Sequence, residues 1–308
     1  NYQNIALDVQ YCIDQVHSDG SLKKIISENL STYVIKEKAV VDGIKQYMHH
    51  GKKIFILTNS EYSYTKVLLD YAINPFLNEG ETWHDLFAYV ITLANKPRFF
   101  YDNLRFLSIE PDSGTMSNVV GPLVPGIYQG GNAKKFTEQL NISGDEILYI
   151  GDHIYGDILR LKKDCNWRTA LVVEELGEEI AAQKKALPTE KKIIDAMMHK
   201  RALEEQYINL CTQSINEQSK IYDVEIANLQ TQIAALDASI SLLLKEQDAF
   251  YNPKWQRVFR VGAEESYFAY QAERFACIYM EKLSDFFGYS PITYFRSNRR
   301  VLPHDAEL

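Results

Sequence analysis

The sequence predicts an α/β fold, in which a parallel sheet surrounded by helices is followed by a helical carboxyl-terminal extension. In the first part of the chain, short apolar runs such as 54–57 and 146–150 alternate with longer segments of helical periodicity. Strands that alternate with helices are typical of parallel sheets, which gather ligands at the carboxyl ends of their strands. In the second part, no glycine occurs between Gly177 and Gly262, and this pattern favours long uninterrupted helices.

The predicted elements follow one another in a regular order before residue 177. Apolar runs of strand type lie at 54–57, 87–93, 146–150 and 168–173. Amphipathic patterns of helical period lie at 5–17, 21–30, 36–50, 61–73, 131–140 and 155–163. Residues 99–128 carry shorter strand-like pieces that are interrupted by glycine and proline. Ser60 is placed to cap the helix that begins near residue 61.

Length and composition exclude several classes of protein. At 308 residues the chain exceeds one average domain, which indicates a core domain and a second module. The formal net charge of -8 argues against nucleic-acid polymers and anionic membranes as partners. No apolar run approaches the roughly 20 residues that a membrane-spanning helix needs. The cysteines are scattered without metal-ligand spacing, as reduced thiols are in cytoplasmic proteins: Cys12, Cys165, Cys211 and Cys277.

A heptad pattern runs through residues 222–243. Large apolar side chains recur every seven residues, with isoleucines between them, at Tyr222, Ile226, Leu229, Ile233, Leu236, Ile240 and Leu243. Such a seam pairs a helix either with another helix of the same chain or with another subunit. The sequence favours a hairpin within the chain, because residues 190–211 can supply the partner. The aromatic-rich segment 254–308 is typical of core or interface packing.

Two carboxylates follow an apolar strand in a turn bracketed by glycines. Asp152 and Asp157 lie five residues apart, on either side of Gly156. Carboxylates this close to the end of a strand can both face one hard cation, directly or through water. The alternative is a helix N-cap and an ordinary surface acid, because aspartate is favoured at both positions. Taken alone, the two residues leave these interpretations evenly balanced.

Polar side chains also end two other predicted strands. Thr58, Asn59 and Ser60 follow the first strand, and donors beside a helix amino terminus suit phosphate oxygens. Lys96 follows the second strand and precedes Pro97, where a lysine can reach a phosphoryl group as a point charge. Capping alone would explain Ser60, and an isolated lysine is usually solvated. Neither feature by itself specifies a site.

The order of these motifs along the chain carries a resemblance to a known family. Strand–Thr-Asn-Ser, then Lys-Pro, then strand–Gly-Asp-x-x-x-x-Asp resembles the second, third and fourth motifs of the haloacid dehalogenase (HAD) superfamily of phosphatases. The sequence is more closely similar to the cytosolic purine 5′-nucleotidases that prefer IMP and GMP. The segments that carry this similarity are 14–23, 56–60, 96–100, 147–158, 259–262, 267–271 and 291–296. The resemblance spans essentially the whole chain, and it implies a HAD-like parallel sheet core.

The resemblance implies roles for the residues at the phosphate end of the substrate. Thr58 would bind the phosphoryl oxygens, and Asn59 and Ser60 would help to hold the phosphate. Lys96 would neutralise charge on the phosphoryl group and on an aspartyl intermediate.

The resemblance also implies roles at the metal and at the base. Asp152 would be a Mg²⁺ ligand, and Asp157 would support the metal site. From the segment near the start of the chain, Asp14, His17 and Lys23 would contact the purine nucleotide. The alternative for the first two is a simple contact with each other, because they lie one helical turn apart.

The implied reaction is Mg²⁺-dependent hydrolysis of purine nucleoside 5′-monophosphates such as IMP and GMP, by in-line transfer of the phosphoryl group to an aspartate and then to water. The resemblance further implies a homo-tetramer. Each chain is expected to have three parts. These are the end of a cap or substrate segment at 1–32, a HAD-like core at 33–186, and a helical hairpin with an aromatic-rich tail at 187–308. Two alternatives stay open, namely a nucleoside phosphotransferase and a catalytically incomplete scaffold protein.

The nucleophile of this superfamily lies in an Asp-x-Asp-x-Thr motif, and no Asp-x-Asp occurs in the 308 residues. The family places that motif upstream of the cap, at the end of the central strand of the sheet. We therefore expect an amino-terminal portion of the same protein to supply the central strand, the attacking carboxylate and a second metal ligand. The chain by itself is expected to lack phosphatase activity and to fold poorly, because strands beside a missing strand expose apolar edges.

Overall fold

The computed structural model describes residues 2–262 and 264–297, so the last part of the aromatic-rich tail lies outside the described residues. The chain forms two compact units. One holds the chain up to Val173 and from Gln271 onward, and the other holds Glu174–Tyr270. The first is named the α/β unit and the second the hairpin unit.

The described elements vary widely in length. The helices, in chain order, are α1 (Tyr2–Ser18), α2 (Ser21–Glu28), α3 (Leu30–Tyr33), α4 (Lys38–His49), α5 (Tyr62–Ala72), α6 (Ala133–Leu140), α7 (Glu175–Glu217), α8 (Asp223–Asp248), α9 (Tyr267–Phe275) and α10 (Leu283–Phe286). The strands are β1 (Phe55–Leu57), β2 (Tyr89–Thr92), β3 (Phe106–Ile109), β4 (Met116–Asn118), β5 (Gly126–Gly130), β6 (Leu148–Gly151), β7 (Arg168–Val172), β8 (Arg260–Val261), β9 (Glu264–Glu265) and β10 (Ile278–Met280).

Two sheets form the framework of the α/β unit. The larger sheet has the order β1-β2-β5-β3-β4, in which β1, β2 and β5 are parallel and β3 is antiparallel to both of its neighbours. The smaller sheet has the order β10-β7-β6 and is entirely parallel. The predicted mixed α/β fold with a parallel sheet is therefore confirmed.

The burial of β2 explains why its sequence is a continuous apolar run. All four of its residues are buried, and β1 and β5 flank it on either side. Tyr89 and Ile91 belong to a cluster that contains Trp167, whereas Val90 belongs to a second cluster that contains Trp83. Because successive side chains of a strand point to opposite faces, the two clusters cover the two faces of the sheet. A strand covered on both faces is mostly apolar, and the one polar residue of β2, Thr92, donates its hydroxyl to the Tyr128 carbonyl oxygen at 3.1 Å.

The segment after β6 differs from the predicted regular helix. Residues 155–163 fall into two π-helical pieces, Ile154–Leu159 and Leu161–Cys165. The first piece begins where the His153 ring accepts the Gly156 N–H at 2.8 Å. Turns of this wider kind occur frequently at functional sites.

The hairpin unit is built on α7 and α8, which run antiparallel. Lys200 Nζ lies 2.6 Å from Asp237 Oδ1, and Thr189 Oγ1 lies 3.1 Å from Glu246 Oε1, so earlier residues of one helix meet later residues of the other. Leu229 and Ile240, at two of the heptad positions of α8, are buried. Among the described helices, none is both long enough and apolar enough to cross a membrane.

Candidate active site

Residues that follow β2 and β6 meet in a buried ion pair. Lys96, which follows β2, places Nζ 2.8 Å from Oδ1 of Asp157, which belongs to the turn after β6. The side chain of Lys96 is 16% exposed and that of Asp157 is 5% exposed. Burial of a lone charge is costly, and pairing compensates part of that cost for both groups. The structure thus brings two of the four predicted catalytic residues into contact.

Tyr149 completes this cluster from within β6. Its hydroxyl lies 2.8 Å from Lys96 Nζ, 3.2 Å from Asp157 Oδ1 and 3.4 Å from the carbonyl oxygen of Leu57 at the end of β1. Burial raises the pKa of Tyr149 far above its ordinary value, and the nearby carboxylates of Asp157 and Asp152 raise it further. The phenol therefore keeps its proton throughout the physiological range of pH.

The backbone that follows β6 is arranged around Asp157, which lies in the first π-helical piece. Its backbone N–H donates to the His153 carbonyl at 2.8 Å, and the His153 N–H lies 3.4 Å from Asp157 Oδ2. A Cβ on Gly151 would lie 2.6 Å from Asp157 Oδ2, closer than real Cβ atoms come to such a group. Only glycine at this position leaves room for the Asp157 carboxylate.

The Asn59 side chain holds the backbone of Lys96. Its Oδ1 accepts the Lys96 N–H at 2.6 Å, and its Nδ2 donates to the Lys96 carbonyl oxygen at 3.1 Å. One amide group thus bonds both backbone polar groups of one residue. Asn59 was predicted to help hold the phosphate, and in the structure its amide is committed to Lys96 through these two bonds.

Further backbone bonds join the loops that follow β1 and β2. The Leu93 N–H donates to the Ser60 carbonyl oxygen at 2.8 Å, and the Ala94 N–H donates to the Thr58 carbonyl oxygen at 3.0 Å. Leu93 and Asn95 have backbone φ values of 41° and 56°, which residues other than glycine rarely adopt. Such conformations persist where the surroundings fix them, and they cluster at functional sites.

The role predicted for Ser60 as a helix cap is wrong. Helix α5 begins at Tyr62 with Glu61 at its N-cap, and no side-chain hydrogen bond caps it. The Ser60 N–H donates instead to the Thr58 hydroxyl at 3.1 Å. The turn after β1 is therefore stabilised by a hydrogen bond between its own residues, before α5 begins at Tyr62. The Thr58 side chain is half-buried within this turn.

Mg²⁺, the cation expected at Asp152 and Asp157, prefers oxygen donors and usually takes one or two protein carboxylates together with water and phosphate oxygens. Asp152 is exposed at the end of β6, whereas Asp157 is buried and paired with Lys96. Both groups are carboxylates, as that preference requires, and of the two only Asp152 is exposed. Within residues 2–262 and 264–297, no three His, Cys, Asp or Glu side chains converge as a complete protein metal site would.

The residues predicted to contact the purine nucleotide lie on α1 and α2. Asp14 accepts a hydrogen bond from Gln10 at 2.9 Å, and the His17 ring bonds the Ile13 carbonyl oxygen at 2.8 Å. These partners replace the simple contact between Asp14 and His17 that the spacing also allowed. Lys23 Nζ lies 5.7 Å from the ring centre of a tyrosine in α5. In the described part of the chain, no hydrogen bond or ion pair connects them to Lys96 or its partners.

Sequence reasoning missed Tyr149 as a site residue. Its position inside an apolar strand suggested ordinary core packing. The available signal was the hydroxyl, since a tyrosine buried in a strand needs a hydrogen-bond partner. That signal predicts a polar neighbour but does not identify it, because Lys96 lies 53 residues away in the chain.

Comparison with known proteins identifies the family of the chain. A sequence model of the 5′ nucleotidase family matches residues 1–307. The chain is 28% identical over 304 residues to a 5′-nucleotidase domain-containing protein of Dictyostelium discoideum, covering 98% of this chain and 49% of that protein. It is 26% identical over 303 residues to 5′-nucleotidase domain-containing protein 2 of Rattus norvegicus, covering 98% of this chain and 51% of that protein. The chain thus spans about half the length of these curated relatives. The chain belongs to the 5′ nucleotidase family, and the resemblance found in its motifs is confirmed at that level.

Proposed function

We propose that the protein hydrolyses purine nucleoside 5′-monophosphates, with IMP and GMP as preferred substrates, to nucleoside and phosphate. The observation that carries this proposal is the buried Lys96–Asp157 pair beside the exposed Asp152, in a chain of the 5′ nucleotidase family. A cation held at a fixed place among buried groups can stabilise the charge of a phosphoryl group without reorganising during the reaction. Such positioning and charge neutralisation supply most of the catalysis in phosphoryl transfer.

The residues divide the work as follows. Thr58 would donate to the phosphoryl oxygens through its hydroxyl, and Ser60 would present its own hydroxyl beside it. Lys96 would set its ammonium group against the transferred group. Asp152, with Asp157 behind it, would hold Mg²⁺, which when bound supplies positive charge to the phosphate oxygens.

The attacking carboxylate would come from a strand outside this chain. Among the strands of residues 2–262 and 264–297, β1 is bonded only to β2 and β6 only to β7, so each lies at the edge of its sheet. Tyr149 of β6 nevertheless reaches within 3.4 Å of Leu57 in β1. Side chains of both strands are only half-buried, among them Ile56 and Ile150. A parallel strand inserted between the two edges would pair both of them and cover these side chains.

A strand in that position would carry the nucleophile to the site. The carboxylate would attack phosphorus, the bond from phosphorus to the nucleoside oxygen would break, and the nucleoside would leave after taking a proton. Water would then attack the aspartyl phosphate, which releases phosphate and restores the carboxylate. Because this carboxylate lies outside residues 1–308, activity is proposed for the protein that includes the amino-terminal portion.

The proposal extends to the base, the assembly and the location. Asp14, His17 and Lys23 would contact the bound purine nucleotide, with Asp14 contacting the base. A homo-tetramer is supported by exposed isoleucines along α7, of which Ile208 is 59% and Ile215 is 75% exposed. A cytoplasmic location is supported by the four free cysteines.

The proposal is tested with a panel of nucleoside monophosphates and the full-length protein, with free phosphate as the readout. We expect phosphate release from IMP and GMP in the presence of Mg²⁺ and none after addition of EDTA. Absence of release from every nucleotide of the panel would sink the proposed activity. Undiminished release in EDTA would sink the assignment of Mg²⁺ alone.

A further inference from the structure

The ammonium group of Lys96 has two close polar partners of different kinds. Its Nζ lies 2.8 Å from the Asp157 carboxylate and 2.8 Å from the Tyr149 hydroxyl. It also lies 5.5 Å from the centre of the Tyr149 ring. An ion pair alone leaves the direction of a flexible lysine poorly defined, whereas a second bond from another element fixes it.

The other end of the same residue is already fixed. Asn59 bonds both the N–H and the carbonyl oxygen of Lys96. The remaining freedom therefore lies in the four-carbon stem, and the groups around Nζ determine where the charge is delivered. Asp157 is one of these groups, and Tyr149 is the other.

The hydrogen-bonding capacity of Tyr149 settles the direction of each bond. An ammonium group only donates, so the Tyr149 oxygen accepts from Lys96. The phenol proton is then free to go to Asp157 Oδ1 at 3.2 Å or to the Leu57 carbonyl oxygen at 3.4 Å. Through this one hydroxyl, β6 holds the lysine that follows β2 and contacts the end of β1.

We propose that Tyr149 is a positioning residue, whose hydroxyl sets the place of the Lys96 ammonium group and thereby the charge that meets the phosphoryl group. This inference rests on the proposed function for its catalytic consequence. Its geometric part, the restraint on Lys96, stands independently of any activity. Without the hydroxyl, Lys96 keeps its ion pair with Asp157 but loses the second point that defines its position.

The test uses the full-length protein with Tyr149→Phe, which removes one oxygen and keeps the ring. Tyr33→Phe is the control, because Tyr33 is 56% exposed and lies outside the motifs. We expect Tyr149→Phe to lower kcat by roughly tenfold or more, the size of a lost hydrogen bond to a charged group, with a smaller change in KM. Tyr33→Phe should leave both constants near those of the wild type. An unchanged kcat in Tyr149→Phe, or an equal loss in both variants, would overturn the proposal.

A second measurement separates this proposal from the proposed function. The rate of reductive methylation of Lys96 is followed by peptide mass spectrometry in the wild type and in both variants. We expect methylation of Lys96 to be several-fold faster in Tyr149→Phe only, with thermal unfolding verifying that the variant is folded. An unchanged rate at Lys96 would overturn the positioning role, even in an active enzyme. A faster rate in a protein without phosphatase activity would overturn the proposed function and support the restraint.

Discussion

At the scale of single residues, Gly151 contributes to the site through its missing side chain. A Cβ there would lie 2.6 Å from Asp157 Oδ2, so Gly151→Ala must displace Asp157 and loosen its pair with Lys96. We expect the free energy of unfolding to fall by about 1–3 kcal/mol, as in other overpacked sites. Phosphate release should fall as well. Thermal unfolding and a phosphate assay on the same preparations check both expectations.

The control for this substitution is Gly126→Ala. A Cβ on Gly126 would meet nothing closer than 3.8 Å, and its φ lies outside the left-handed region. Both measurements should therefore stay near those of the wild type. Equal activity in the two alanine variants would contradict the close packing of Asp157 on Gly151.

Cys165 gives a prediction for the dependence on pH. Burial raises the pKa of its thiol to about 11, with a smaller contribution from the Asp164 carboxylate. The pKa of the thiol in the folded state lies above its unfolded value of about 8.5. The stability that the neutral thiol contributes is therefore fully present at pH values below the unfolded pKa. This contribution to stability is lost as pH rises through 11.

At pH near 8 we expect iodoacetamide to label the exposed Cys12 much faster than Cys165, as measured by peptide mass spectrometry. Equal labelling of the two would refute the shift.

The motif residues of the site could be predicted from the sequence, but their partners could not. Lys96 and Asp157 stand in a recognisable order, and that order indicated a shared site. The bonds between Asn59 and Lys96 join residues 37 positions apart, and they depend on how two loops meet. The secondary-structure propensities of neighbouring residues cannot predict a contact between residues so far apart in the chain. The family resemblance assigned Asn59 to the phosphate, and the structure adds that its side-chain amide bonds the backbone of Lys96.

At the scale of elements, apolar runs predicted strands well where both faces are buried, as in β2. The region 99–128 was harder, because β3 and β4 are short and β4 is fully exposed. An exposed strand carries no hydrophobic period, so its pairing depends on neighbours rather than on its own sequence. The π-helical form of 154–165 could not be predicted either, because hydrophobic periodicity distinguishes only helix from strand.

The heptad pattern of α8 gives a prediction with a matched control on the same helix. Leu229 is 5% exposed, whereas Leu242 is 68% exposed. We expect Leu229→Ala to lower the stability of the hairpin unit by about 2–5 kcal/mol, because it removes buried methylene groups and leaves a cavity. Leu242→Ala should change it by less than about 0.5 kcal/mol. Denaturant unfolding followed by helical circular dichroism compares the two, and equal effects would contradict the seam.

At the scale of the whole molecule, β1 and β6 each have an edge that no other described strand pairs with, and we propose that a further strand lies between them. The Thr58 N–H bonds to Ile91 in β2 at 2.9 Å, so the preceding Leu57 N–H points away from β2. If a strand lies between β1 and β6 in the full-length protein, the Leu57 amide should exchange with deuterium as slowly as the Val90 amide in the middle of β2. Hydrogen exchange read by NMR measures both. Exchange of Leu57 at the rate of an open edge would contradict the inserted strand.

The central claim is that Asp152, Asp157 and Lys96 act as a phosphoryl-transfer site. The most direct measurement is phosphate release from IMP by the full-length protein carrying Asp152→Ala, beside Asp112→Ala as the control. Both aspartates are exposed, but Asp112 lies in the turn between β3 and β4, away from the motifs. We expect Asp152→Ala to lose nearly all activity, because the exposed carboxylate at the end of β6 is gone, and Asp112→Ala to keep it. Undiminished release of phosphate by Asp152→Ala would show that Asp152 has no part in such a site.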